Sequence, residues 1–123
     1  MDLEQTIKFL EEEIRELKKN QKELEFRQDL IFNTSPSNRI LYEYKITAEQ
    51  YGKIMDLMDS YRKKISNNEK VSHGSFEQQV YELVPQLKDN YHFVEYLLGA
   101  FKEENRWEEV FDVLYEDNPK YQG

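Results

Sequence analysis

The chain has 123 residues, 25 acidic against 17 basic, a formal net charge of −8, no cysteine and 38% hydrophobic residues. That length fits one domain. The lack of cysteine excludes disulfides and thiolate chemistry, and the acidic balance argues against a nucleic-acid partner, which calls for a basic surface.

An aromatic content of 14% separates the chain from disordered sequences of similar charge. It contains no run of 18 or more apolar residues, so no membrane span is expected. Met1 to Leu10 carry acids and no apolar core of the kind a secretory signal has. With the absence of cysteine, this is compatible with a cytoplasmic location. The charge is uneven. Residues 1–32 hold 6 basic and 9 acidic side chains, residues 33–74 hold 7 and 5, and residues 75–123 hold 4 and 11. The acidic excess is therefore mostly C-terminal.

Residues 2–32 follow a heptad. Leu3, Leu10, Leu17, Leu24 and Ile31 recur every seven residues, and Ile7, Ile14, Gln21 and Gln28 occupy the other seam position. Glu, Lys, Gln, Arg and Leu fill most of the remainder, and all are good helix formers. At 1.5 Å per residue this helix would be roughly 45 Å long. A narrow two-position stripe of this kind needs a partner helix. Ile at a with Leu at d favours a parallel dimer, and Glu13 at g would attract Lys18 at e of a second chain. Phe9, Phe26, Leu30 and Phe32 lie off the seam and point to further contacts with the rest of the chain.

Asn33 to Asn38 read as a loop in which Pro36 stops the first helix, with Ser37 or Asn38 capping a short segment through Tyr44. Thr47 with Gln50 forms a capping box, flanked by Ile46 and Tyr51 at staple positions. The helix it opens carries Ile54, Met55, Met58, Tyr61 and Ile65 on one face and Arg62-Lys63-Lys64 in its last turn. Residues 66–74 read as a polar loop. Ser75, with Gln78, is the expected cap of the next helix, which Pro85 kinks or ends. Residues 91–103 read as a strongly apolar helix in which Gly99 and Ala100 leave room for a neighbouring backbone. A last helix carries Trp107, Val110, Phe111, Leu114 and Tyr115. Asn118-Pro119 is expected to end it and residues 120–123 to be loose. The expected fold is all-α: a long N-terminal coiled-coil-like helix over 1–32, then a multihelical bundle over 33–123, within one structural domain.

The long heptad helix, the segment Ile40-Leu41-Tyr42-Glu43-Tyr44, the stretch Ile46-Thr47-Ala48-Glu49-Gln50, Gln86-Leu87-Lys88 and the closing residues Ala100 to Phe111 together resemble the small YhaI-like family of bacillar proteins. The resemblance spans nearly the whole chain, through patterns of aromatics and acids rather than a chemical signature. It implies a multihelical fold and an intertwined homo-oligomer, a trimer, and it implies no activity. Relatives tend to place Gly in the last inter-helix turn where this chain has Asn105, which also tolerates the left-handed conformation.

Chemistry-bearing motifs are sparse. His92, near Asp89, and His73 are the two histidines, and a catalytic histidine needs a positioned nucleophile or substrate pocket. The acids Glu11-Glu12-Glu13, Glu103-Glu104, Glu108-Glu109 and Asp112/Glu116 lack EF-hand or Glu-x-x-His spacing. No catalytic residue, cofactor or metal is therefore assigned. The expected role is that of a non-enzymatic homo-oligomer, a dimer or trimer, acting through protein contacts. Its seam is Leu3, Ile7, Leu10, Ile14, Leu17, Gln21, Leu24, Gln28 and Ile31, and Tyr96, Phe101 and Trp107 are a candidate surface for an unknown protein partner. Two alternatives stand beside it. One is an acidic regulator that engages a basic or DNA-binding partner, as a DNA mimic would. The other is an enzyme whose site forms between subunits from carboxylates and His92.

Overall fold

The computed structural model describes residues 2–116, without the side chain of Glu116; the expected stop at Asn118-Pro119 and the tail after it lie outside the described residues. Six α-helices follow in order: α1 (Leu3–Phe32), α2 (Pro36–Glu43), α3 (Ala48–Ser66), α4 (His73–Leu83), α5 (Tyr91–Glu103) and α6 (Glu108–Phe111). There is no strand among the described residues. A 3-10 turn, Pro85–Leu87, joins α4 to α5, and a π-helical turn, Asp112–Glu116, continues α6.

Local chemistry sets most boundaries. Asp2 caps α1 and exchanges hydrogen bonds with Gln5. The expected box at Thr47 and Gln50 opens α3, with both of its bonds at 3.1 Å. Pro85 ends α4 as its missing N–H requires, and Asn90 caps α5.

Two caps fall elsewhere than expected. α2 is capped by Ser35, not by Ser37 or Asn38. Pro36 then becomes its first residue, where proline's fixed φ suits the helix and its missing N–H costs nothing. α4 is capped by Ser72, not by Ser75. Ser72 wins because Val71 before it and Phe76 four residues into the helix can form a hydrophobic staple, which Gly74 and Gln79 could not. Phe76 is fully buried and Val71 packs against the core. His73 and Gly74 thus belong to the first turn of α4 rather than to a loop.

The core gathers Leu41, Ile46, Ile54, Met58, Tyr61, Phe76, Val80, Val84, Phe93, Leu97, Phe101 and Val110 from five helices and their joints. Gly99 faces a side chain rather than the neighbouring backbone expected there: a Cβ placed on it would meet Phe111 at an ordinary 3.8 Å.

Polar bonds fasten the helices end to end. The Glu104 carboxylate accepts from both the backbone N–H (2.9 Å) and the hydroxyl (3.0 Å) of buried Ser37, at the start of α2. The Glu23 carboxylate of α1 accepts from the Ala48 N–H at 3.1 and 3.3 Å, at the start of α3. Both carboxylates sit where helix dipoles favour negative charge. Asn105 takes the left-handed conformation (φ 60°), as asparagine can. Trp107 does too (φ 49°), which is unusual for so large a residue. Its ring is held by a 2.8 Å bond from Nε1 to Asp59 and an edge contact with Phe101.

Candidate functional site

α1 divides along its length and around its circumference. Between Leu3 and Lys22 no side chain is buried. Only the last third meets the bundle: Leu30 is buried, Phe26 stacks on Tyr51 at 5.9 Å, and Arg27 lies over Tyr42 and bonds its carbonyl. With Glu23, these residues share one face. At 100° per residue, the seam face is turned about 130° away from it.

The mount therefore leaves the seam open along the whole helix. Leu3, Ile7, Leu10, Ile14, Leu17, Leu24 and Ile31 are all exposed, Leu24 by 68% even where the helix is docked. Gln21 and Gln28 are exposed as well, and the Gln21 amide bonds Glu25 of its own helix at 3.4 Å. The division of labour in α1 follows the off-seam residues Phe26 and Leu30 as expected. Phe9 and Phe32, expected to share in it, are exposed. The packing boundary of the bundle thus runs inside α1, near residue 22, rather than at residue 33.

The second candidate surface comes apart. Phe101 is fully buried and Trp107 is 8% exposed, both in the chain's own core. Of the three residues, Tyr96 alone is on the surface, where it stacks on His92 at 5.9 Å while Tyr91 stacks on His92 at 4.3 Å. The cause is the left-handed turn at 105–107, which folds Trp107 back under α5. Tyr96 also borders an open groove of about 490 Å³ with Ile40, Tyr44, Gly99 and Phe111.

Several charged clusters are used within the fold. Arg62 pairs with Glu109, and Lys64 lies over the Tyr61 ring, so two members of the basic triplet have partners. Lys102 pairs with Asp112 at 2.6 Å. Arg106 bonds the Tyr51 hydroxyl at 2.9 Å and covers the Phe101 and Trp107 rings. Among the described residues, no three His, Asp or Glu side chains are placed to hold a metal ion.

Sequence reasoning passed over one cleft, of about 360 Å³, lined by residues of α4, the turn at Asp89, the start of α5, and Tyr115. Its signal is His73, Glu77 and Tyr81 at four-residue spacing, one face of α4. That signal is hidden if the helix is started at Ser75.

Comparison with family models, with curated proteins and with solved structures found no match for this chain.

Proposed function

We propose that this chain is a non-enzymatic, homo-oligomeric helical protein that acts through protein contacts and assembles through the seam of α1. One observation carries the reading: a row of leucines and isoleucines stays exposed from Leu3 to Ile31, on the face turned away from the bundle. An exposed apolar stripe of that length marks an interaction surface. The occupant that suits it is a second copy. The stripe is self-complementary in the heptad sense, Ile at a and Leu at d, and Glu13 of one chain would stand against Lys18 of the other in a parallel pair. Gln21 and Gln28, which interrupt the apolar seam, would fix its register at some cost in stability. The heptad chemistry favours two strands, whereas the resemblance to the YhaI-like family favours three.

Mass in solution tests the reading. Light scattering is expected to give a dimer or trimer at micromolar concentration. The double substitution Ile14→Asp and Leu17→Asp is expected to give a monomer with unchanged helical content, since burying unpaired charges in the seam is prohibitive. A monomeric parent protein, or a variant of unchanged mass, would overturn it.

A further inference from the structure

The seam of α1 has two flanks, and the bundle lies beside one of them. Arg27 belongs to the mount and also stands at g, the flank position next to the seam. Asn20, one heptad earlier at g, borders the joint between α1 and the start of α3. The bundle therefore sits on the g side of the arm. The e side carries Glu4, Glu11, Lys18, Glu25 and Phe32, all exposed.

Phe32 is the odd member of that row. Position e often holds a charge, yet here the last residue of α1 is a phenylalanine exposed by 74%. On the opposite flank, the Arg27 guanidinium lies over the Tyr42 ring at 5.3 Å, and that ring is still 43% exposed. In a parallel pair, each g residue stands opposite the e residue of the next heptad on the other strand. The step that sets Glu13 against Lys18 sets Asn20 against Glu25 one heptad on, and Arg27 against Phe32 two heptads on. No like charges meet at these steps. Because the bundle lies on the g side, the strand that brings its Phe32 to Arg27 also brings it to the edge of the neighbouring bundle at Tyr42.

We propose that Phe32 of a second copy covers the Arg27–Tyr42 stack, so that each arm ends on its neighbour's bundle as well as on its own. The proposal rests on the assembly described above and adds to it a strand direction and a contact between arm and neighbouring bundle. Guanidinium planes stack on aromatic faces, and the cation is attracted by the ring. Tyr42 occupies one face of Arg27, and Phe32 would occupy the other, taking two exposed rings out of water. The contact is made once at each bundle, and a parallel trimer keeps the same g-to-e steps. In an antiparallel pair g meets g and e meets e, and Phe32 would lie beside the free end of the other arm, away from any bundle.

The chain has no cysteine, so a thiol can be placed at will. Leu17→Cys, at d, is expected to form an intermolecular disulfide on oxidation, since facing d residues come within bridging distance only in a parallel arrangement. In sedimentation equilibrium, Phe32→Ala is expected to weaken self-association about tenfold. Tyr42→Ala should weaken it by a similar factor, and the two together by little more than either alone, because both remove the same contact. Phe9→Ala, an exposed aromatic of the arm outside this register, should change it by no more than about twofold. Circular dichroism should show each variant as helical as the parent; Phe32 is too exposed to support its own fold, so its variant reads the contact alone. A parent protein that stays monomeric removes the assembly and this proposal with it. An oligomeric parent in which Leu17→Cys forms no disulfide, or in which Phe32→Ala does no more than Phe9→Ala, would overturn the contact and leave the assembly standing.

Discussion

The first twenty residues of α1 and the bundle below them are built from the same alphabet and arrive at opposite ends of the burial scale. In the bundle, Phe76, Phe93 and Leu41 are fully buried, while on the arm Leu3 stands 76% exposed. The arm is richer in charge and poorer in aromatics, but it is periodicity that decides where its leucines go. In α3, Ile54, Met58 and Tyr61 are buried and flanked by half-buried Tyr51, Met55 and Ile65, a broad stripe that meets several neighbours. On the arm the stripe is two positions wide, enough for one seam and too narrow for a core. Stripe width thus decides whether a leucine is spent inside the chain or left on its surface.

Substitutions can break this comparison at graded strength. Phe76→Ala should have the largest effect, about 3–5 kcal/mol in chemical denaturation, because its site is closed on all sides. Next comes a pair on one helix. Leu30→Ala should destabilise the bundle by about 2–4 kcal/mol. Leu24→Ala, six residues away, should leave the melting of a dilute monomer within about 0.5 kcal/mol of the parent while lowering the mass measured at high concentration. Equal effects of the two would mean that α1 has no division between mount and seam. Glu104→Ala should cost about 1–3 kcal/mol, since it leaves the buried N–H and hydroxyl of Ser37 without their carboxylate.

The smallest effect is alkaline. Burial raises the Tyr81 pKa in the folded chain, and the charges of Glu77, Asp89 and Glu95 raise it further, so unfolding releases its proton more readily. Its contribution to stability is whole below the ordinary tyrosine pKa of about 10 and is lost as pH rises through and above it. Phenolate absorbance should show a late-titrating component that disappears in Tyr81→Phe and shifts downward in Asp89→Asn.

Much of the architecture is legible in residue order because it is dictated locally. The box at Thr47 and Gln50, the stop at Pro85 and the span of α5 each depend on a few adjacent side chains. What is not legible depends on tertiary context. Ser75, with Gln78 three residues on, is the better cap in isolation, and Ser72 prevails because Val71 finds the core. Trp107 has the composition of an interface anchor, yet a left-handed backbone that no local motif announces turns it inward. The exposed heptad stripe of α1 could be read from its spacing, which is itself local, whereas the cleft at Tyr81 draws on three elements and on the true start of α4.

The carboxylates at the starts of α2 and α3 bear on how this chain comes into being. Glu23 precedes Ala48 by 25 residues, so α3 finds its acid already made. Glu104 follows Ser37 by 67 residues, so the first turn of α2 stays unfinished until α5 has been synthesised. During translation the arm emerges complete while the platform that carries it is still open. Under the assembly proposed above, two nascent arms would meet before either bundle closes, so that pairing and closure would be separate events.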